Sequence, residues 1–225
     1  MPDRRFADRT VMVFGAAGAL GAGLAAAFAG EGAGVIGVDR SVPAGDRHLD
    51  GARYRIVDVR DDAALGALFD GGPAPWAVIN TVGGFAARTP LTELDPAVLT
   101  GQLELNLVTA ALITKHALRA MTAAGEGRLV HTASRAALVT RGAGFAYSVS
   151  KLGVLHLVTM AANEVRGTGI TVNCVVPTII DTPANRSAMP DADHASWPKI
   201  PDVAQAYLFL ASPGAHLVNG ASVPV

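Results

Sequence analysis

A tyrosine and a lysine four residues apart, Tyr147 and Lys151, are the side chains of this sequence best suited to acid–base chemistry. They open a segment whose composition predicts a helix, and side chains at positions i and i+4 lie on one helix face. A phenol with a pKa near ~10 is a poor acid or base at neutral pH. A neighbouring ammonium favours the phenolate and lowers that pKa. We therefore predict that Tyr147 is an acid/base assisted by Lys151, although two amphipathic surface residues would share this spacing.

A second candidate site lies near the N-terminus, where glycines recur at positions 15, 18 and 21 between a predicted strand and a predicted helix. Such glycines allow a tight turn and bring backbone N–H groups to a pyrophosphate, although they would also suit close helix–sheet packing. Asp39 ends the next predicted strand, at the distance expected for a ribose contact. Its carboxylate can accept both ribose hydroxyls of NAD and repels the 2′-phosphate of NADP, whereas Arg40 could attract that phosphate. The sequence predicts that NAD(H) is preferred and that NADP(H) is possible.

Strands and helices alternate along the chain and would bring these residues together. Strands are predicted at residues 10–14, 35–38, 54–57, 76–80, 128–132, 170–176 and 222–225, and helices at residues 18–30, 61–69, 96–124, 144–166 and 201–211. This alternation predicts βαβ units with right-handed crossovers. The expected fold class is α/β, a single doubly wound Rossmann domain over residues 1–225 with a mainly parallel seven-stranded sheet. Ligands bind at the carboxyl ends of the strands in such folds. The crossover between residues 39 and 54 lacks a helical period and is predicted to be irregular.

The order of these motifs resembles the short-chain dehydrogenase/reductase family over nearly the whole chain. The matching positions include the glycine turn, the run Asn80-Thr81-Val82-Gly83-Gly84 and the run Pro177-Thr178-Ile179-Ile180-Asp181-Thr182. The resemblance implies four catalytic residues. Ser134 would position the substrate oxygen, Tyr147 would transfer the proton, Lys151 would bind the nicotinamide ribose, and Asn106 would hold a water. Cofactor contacts are predicted for Gly15, Ala17, Gly18, Ala19, Leu20, Gly21, Asp39, Arg40, Asp58, Val59, Asn80, Gly83, Tyr147, Lys151, Pro177, Ile180 and Thr182.

Two of these assignments carry alternatives. Asp58, at the end of the third predicted strand, is predicted to accept the adenine amino group, or to cap the following helix, or both. Residues 181–197, residues 18–21 and the short crossover are similar to dihydropteridine reductases, so the closest resemblance is expected among dihydropteridine-reductase-like members. Residues 182–197 are predicted to form a substrate lid, with Arg186 as the lone candidate for an anionic group.

The expected function is an NAD(P)(H)-dependent oxidoreductase that transfers a hydride between the nicotinamide and a small carbonyl or alcohol. The alternatives are a dihydropteridine-type reductase acting on a quinonoid pterin, and a non-catalytic dinucleotide-sensing regulator. As we know them, dihydropteridine reductases lack the serine and asparagine found here at positions 134 and 106. A regulator would be expected to lose the tyrosine–lysine pair. Ser134 therefore favours an ordinary carbonyl substrate over a pterin, and the intact tyrosine–lysine pair favours an enzyme over a regulator.

Composition limits the partners. The net charge is −1 with a single cysteine, so neither nucleic acid nor an anionic membrane is an expected partner, and an internal disulfide is impossible. The six histidines show no metal-ligand spacing and are expected in core or surface roles, so no metal is predicted. We expect a cytoplasmic protein. Broad apolar surfaces on helices 96–124 and 144–166, together with the family resemblance, predict a homodimer or homotetramer.

Overall fold

The computed structural model describes residues 4–86, 89–139 and 144–225. Its centre is a seven-stranded sheet in the order β3-β2-β1-β4-β5-β6-β7. The strands are β1 (Thr10–Phe14), β2 (Gly34–Asp39), β3 (Arg53–Ile56), β4 (Ala77–Asn80), β5 (Glu126–Thr132), β6 (Gly169–Val176) and β7 (Ser222–Pro224). Every strand pair is parallel. The prediction of a doubly wound α/β fold is confirmed, and the sheet is wholly parallel where a mainly parallel one was expected.

Helices cover both faces of the sheet. They are α1 (Ala19–Gly30), α2 (Asp62–Asp70), α3 (Pro96–Leu103), α4 (Thr109–Ala124), α5 (Phe145–Glu164), α6 (Pro183–Ala188) and α7 (Ile200–Leu210). Successive strand side chains point to opposite faces. Met12 and Phe14 of β1 therefore pack with α2, α4 and α5, while Val11 and Val13 pack with α1 and α7. Strands buried on both faces explain the unbroken apolar runs in the sequence.

The strand order reverses at β1, which lies between β2 and β4. The connection from β1 leads to β2 on one side, and the chain later returns to place β4 on the other. In open α/β sheets the crevice at such a switch point, beyond the carboxyl ends of the strands, is where ligands bind. The ends of β1 and β4 therefore mark the expected site.

One long predicted helix is interrupted. Between α3 and α4 the chain forms a π-helical turn, Glu104–Val108, which contains Asn106. Such wider turns insert an extra residue into a helix and are frequent at functional sites. The helical period of residues 96–124 predicted the helix but not this change in its hydrogen bonding.

Two local expectations can be compared with the structure. The crossover from β2 to β3 contains only a single 3₁₀ turn, Gly45–Arg47, as the missing helical period predicted. The alternative that Asp58 caps α2 is wrong. Asp61 is the N-cap, and its carboxylate accepts hydrogen bonds from the backbone N–H groups of Ala63 and Ala64, both at 3.0 Å.

Two stretches, Pro96–Ala124 and Phe145–Glu164, are long and apolar enough to cross a membrane by length and composition alone. Both contribute side chains to the cluster beneath the sheet, including the buried Ile113 and Val154. Core helices of a doubly wound fold have the same composition, because one of their faces packs on a hydrophobic sheet. Their packing is consistent with a soluble protein.

Candidate active site

The glycine turn after β1 is shaped by contacts that exclude side chains. Gly15 has a φ of +82°, and a Cβ there would lie 2.5 Å from Thr81 Oγ1. A Cβ on Gly21 would lie 2.1 Å from the carbonyl oxygen of Gly15, so α1 approaches the turn too closely for any other residue. Gly18 is the N-cap of α1 and provides no side-chain hydrogen bond. The first N–H groups of α1 thus have no intrahelical partner and are suited to bind an anion.

Asp39 is fixed at the edge of this turn. Its carboxylate accepts hydrogen bonds from the backbone N–H groups of Ala17 (2.8 Å) and Arg40 (2.7 Å). Asp39 and Arg40, together with Asp58, Val59 and Gly83, line a cleft of about 470 Å³. Ligand sites for small molecules typically occupy ~300–1,000 Å³. The structure therefore brings the predicted adenosine-binding residues to one cleft, and the absent side chains at the turn fit a dinucleotide.

Asp58 has a partner that the sequence did not indicate. Arg60 donates to both oxygens of its carboxylate, and this hydrogen bonding lowers the pKa of Asp58 to about 2. Asp58 is therefore an ionised acceptor at the cleft, as an adenine amino group would require. The contact between Asp58 and adenine remains a prediction. Arg60 also lines the cleft, which the sequence did not indicate.

Lys151 is buried at the carboxyl ends of β4 and β5. Its Nζ donates to the carbonyl oxygen of Thr132 at 2.9 Å, and burial lowers its pKa to about 8. A Cβ on Gly83 would lie 2.6 Å from Asn106 Oδ1 and 2.8 Å from Lys151 Nζ. The turn after β4, the π turn and α5 therefore meet at one point, and only glycine fits at position 83.

Asn106 is tied to the turn after β4 by two hydrogen bonds. Its Oδ1 accepts from the backbone N–H of Gly84 (3.0 Å), and its Nδ2 donates to the Gly84 carbonyl (3.1 Å). Nδ2 also donates to Ser150 Oγ on α5 at 3.1 Å. Asn106 thus fixes the spacing between three elements. The water-holding role that the family resemblance implies remains a prediction.

Ser134 and Tyr147 face each other across the end of β5 and the start of α5. Ser134 is extended, and its Oγ accepts from the backbone N–H of Ala136 at 3.2 Å. Burial raises the pKa of Tyr147, and a hydrogen bond with Ser134 partly opposes that rise. The expectation that Lys151 lowers the pKa of Tyr147 stays a prediction, because burial is the largest influence in this geometry and raises the pKa of the phenol. The phenol is withdrawn from water, while the ammonium is held by the Thr132 carbonyl.

A buried chain of hydrogen bonds supports the turn after β4. Asn80 Oδ1 accepts from the backbone N–H of Val82 (3.0 Å), and Asn80 Nδ2 lies 3.1 Å from His131 Nδ1. His131 Nε2 lies 2.9 Å from Thr114 Oγ1, whose hydroxyl donates to the Ala110 carbonyl at 2.7 Å. Since the threonine proton is already used, His131 donates from Nε2 and accepts at Nδ1. Burial and then the charge of Lys151 lower the pKa of His131 to about 3, so the ring is neutral.

Thr132 joins the same turn to Lys151. Its Oγ1 donates to the Asn80 carbonyl at 2.7 Å and accepts from the buried Tyr207 hydroxyl at 2.7 Å. Its own carbonyl receives Lys151 Nζ. Sequence reasoning did not select Thr132, because its contacts with Asn80, Lys151 and Tyr207 arise only in the folded chain.

An aromatic side chain lies beside Tyr147. The ring of Phe85 contacts that of Tyr147 edge-to-face, with centroids 5.3 Å apart and planes at 83°. Phe85 remains 52% exposed. The surface that contacts the edge or face of the Tyr147 ring is therefore apolar on the side of Phe85.

The predicted lid contains a short helix. Thr182 is the N-cap of α6, and its Oγ1 accepts from the backbone N–H of Asn185 at 3.2 Å. The Thr182 hydroxyl can still donate a hydrogen bond, for example to the carboxamide of a nicotinamide. Arg186 was the predicted candidate for an anionic substrate group. It is already paired within the protein, because it donates to both oxygens of Asp181, at 2.6 and 2.9 Å.

Two further predicted cofactor residues lie in the segment that follows β6. Pro177 and Ile180 follow β6, and both are buried. The Pro177 carbonyl accepts from the backbone N–H of Arg135, which anchors the segment beside Ser134. Among the described residues, no group of three or more histidine, cysteine, aspartate or glutamate side chains is placed to hold a metal ion.

Comparison with known proteins defines the class. A family model described as Enoyl-(Acyl carrier protein) reductase matches residues 15–225. A cis-4-hydroxycyclohexanecarboxylate dehydrogenase of Sinomonas cyclohexanicum is 35% identical, over 98% of this chain and 96% of the relative. A D-threitol dehydrogenase of Mycolicibacterium smegmatis is 31% identical, over 99% of this chain and 93% of the relative. A solved short-chain dehydrogenase/reductase from Burkholderia xenovorans has a TM-score of 0.89 at 30% identity, and the match covers 98% of this chain and 96% of that one.

The chain belongs to the short-chain dehydrogenase/reductase family. It is an NAD(P)(H)-dependent oxidoreductase acting between alcohols and carbonyls, as the named activities of these relatives indicate. The expected closest resemblance to dihydropteridine reductases was wrong, because the matched relatives are other dehydrogenases. Neither the pterin reductase nor the non-catalytic regulator is favoured by these matches.

Proposed function

We propose that this protein is an NADH-preferring dehydrogenase/reductase for a small, partly apolar alcohol or ketone, with Asn106, Ser134, Tyr147 and Lys151 as its catalytic residues. The observation that carries the proposal is the contact of Gly83, which lines the dinucleotide cleft, with Asn106 Oδ1 and Lys151 Nζ, one turn of α5 from Tyr147 and its partner Ser134. The nicotinamide, when bound, supplies or accepts the hydride. The protein supplies the proton and the geometry.

The proton is transferred by Tyr147. Its raised pKa keeps the phenol protonated at neutral pH, which suits donation to a ketone oxygen in the direction of reduction. Ser134, within hydrogen-bonding reach of that phenol, positions the same substrate oxygen. Lys151 holds its ammonium at the Thr132 carbonyl and would bind the nicotinamide ribose, with Asn106 fixing the elements around it.

An apolar ring is the substrate group that the surroundings of Tyr147 favour. Phe85 offers its exposed ring beside the phenol, and Arg186 is already paired with Asp181. The name of the relative from Sinomonas cyclohexanicum describes a cyclic alcohol. A cyclic ketone or alcohol of modest size fits both observations. Residues 182–197 would close over such a substrate as a lid.

A substrate panel tests this proposal. Cyclic and aryl ketones, linear ketones and a quinonoid dihydropterin are offered with NADH and NADPH, and the absorbance at 340 nm is followed. We expect turnover of the cyclic ketones, and a loss of about 10²-fold or more in kcat for Ser134→Ala. Ser222→Ala, an exposed change on β7, is the control and should be silent. Turnover of the pterin alone, unaffected by Ser134→Ala, would overturn the assignment.

The proposed NADH preference depends on Asp39, whose carboxylate is held beside the glycine turn by the backbone N–H groups of Ala17 and Arg40 and would accept the adenosine ribose hydroxyls. We expect Asp39→Ala to raise the KM for NADH and lower that for NADPH, since the repulsion of a 2′-phosphate is removed. The ratio of the two kcat/KM values measures the effect. A wild-type enzyme that strongly favours NADPH would show that a basic side chain near the ribose, such as Arg40, outweighs Asp39.

Assembly and location complete the proposal. Exposed apolar side chains on α5, Leu152 and Met160, and Val108 at the end of the π turn support association into a homodimer or homotetramer. The neutral balance of charge supports a cytoplasmic enzyme with a small-molecule substrate and no nucleic-acid or membrane partner.

A further inference from the structure

We infer that Arg47, on the short crossover between β2 and β3, binds the 2′-phosphate of NADP(H) and keeps that cofactor usable by an enzyme whose Asp39 opposes it. The inference rests on the proposed dinucleotide site. Arg47 was not among the candidate residues, because nothing in its sequence surroundings indicates a ligand.

The side chain of Arg47 is held against the glycine turn by one hydrogen bond. Its Nη1 donates to the carbonyl oxygen of Ala17 at 2.7 Å, while the N–H of Ala17 donates to Asp39 Oδ2 at 2.8 Å. The guanidinium and the ribose-binding carboxylate are therefore held by the same residue of the glycine turn. A phosphate on the adenosine ribose would reach this guanidinium as soon as it cleared Asp39.

The remaining donors of Arg47 are available for that phosphate. A guanidinium has five N–H groups, and in the described part of the chain Ala17 is the one hydrogen-bond partner of this side chain. Arg47 forms no ion pair with a described carboxylate, unlike Arg60, which is committed to Asp58. Arginine is well matched to phosphate, which its planar group binds with two parallel hydrogen bonds.

The short crossover explains why Arg47 can reach the turn. It contains the single 3₁₀ turn Gly45–Arg47, and Gly45 has a φ of +62°, a conformation that L side chains rarely adopt. Residue 17 is alanine, so the turn offers no basic side chain of its own. Arg47 supplies from another segment the positive charge that the turn lacks.

Binding measurements isolate the 2′-phosphate without turnover. Adenosine 2′,5′-bisphosphate and 5′-AMP differ only in that group, and both are titrated calorimetrically into the full-length protein. We expect Arg47→Ala to weaken the bisphosphate about tenfold, the loss of one charge-assisted hydrogen bond, and AMP by less than about twofold. Arg47→Lys should fall between, and added salt should reduce the difference because exposed charges are screened.

Arg55→Ala is the matched control. Arg55 is also exposed, lies on β3 and donates to a single backbone carbonyl, that of Tyr54. Its removal changes the net charge equally and should affect neither ligand. The inference fails if Arg47→Ala weakens both ligands equally, if it weakens neither, or if Arg40→Ala alone abolishes the discrimination. A protein that binds AMP but reduces no ketone would contradict the proposed function and leave this inference standing. One that binds neither adenosine phosphate would remove the dinucleotide site itself.

Discussion

Replacing Tyr147 with phenylalanine is expected to lower kcat by ~10²–10⁴-fold, the usual contribution of a positioned general acid or base. The ring, its contact with Phe85 and most of its burial are kept, so only the proton donor is lost. Binding of NADH should therefore be unchanged. Steady-state kinetics gives kcat, and quenching of protein fluorescence by NADH gives the dissociation constant.

Tyr54→Phe serves as the control for this change. Tyr54 lies on β3, and its hydroxyl accepts from the backbone N–H of Leu49 at 2.9 Å, remote from the catalytic residues. It should retain wild-type turnover. A Tyr147→Phe enzyme with full activity would show that another group, or water, transfers the proton.

Replacing Lys151 with methionine is expected to abolish most turnover, by about 10²-fold or more, because the ammonium that orders the site is lost. Its effect on stability should depend on pH. Burial lowers the pKa of Lys151 to about 8 from its ordinary 10.5, which corresponds to roughly 3 kcal/mol of destabilisation at neutral pH. Loss of the bond to the buried Thr132 carbonyl opposes this gain by ~1–3 kcal/mol, so the net change at pH 7 should be small.

The sign of the pH dependence is fixed by the direction of the shift. Between about pH 8 and 10.5 the unfolded lysine binds a proton that the native one has released, so the free energy of unfolding of the wild type rises with pH. Methionine removes that rise. Urea unfolding at pH 7 and pH 10 should show the wild type gaining up to roughly 3 kcal/mol relative to the variant. The exposed Lys199→Met change should give no such divergence, and a constant gap for Lys151→Met would contradict the buried charge.

The fold could be predicted closely because its signals are local and repeated. Short apolar runs such as Thr10–Phe14 and Gly169–Val176 are strands buried on both faces. The segments that follow them show the different period of a helix. The π turn at Asn106 could not be predicted from the same signals. Periodicity reports which side of a helix is apolar, but not whether one hydrogen bond has shifted by a residue.

The positions of the candidate catalytic residues and of the glycine turn could also be predicted, because they stand at fixed offsets from strand ends, while their roles stay predictions. Their supporting contacts could not be predicted. Thr114 meets His131 across α4 and β5, and Arg60 meets Asp58 through a local bend. Arg186 was misjudged because its partner, Asp181, could only be identified from side-chain geometry. Exposed arginines have many possible partners, and tertiary structure selects among them.

The neutral ring of His131 makes three distant positions of the chain mutually dependent. Asn80, Thr114 and His131 come from β4, α4 and β5, and each supplies the atom that its neighbour needs. A substitution at any one of these residues leaves a buried polar group on its neighbour without a hydrogen-bond partner. The contributions of such residues to stability are therefore not additive. Over evolutionary time these positions should change in concert or stay fixed. Substitutions intended to change substrate choice should be better tolerated at Phe85, because its exposed ring does not belong to a buried hydrogen-bond network.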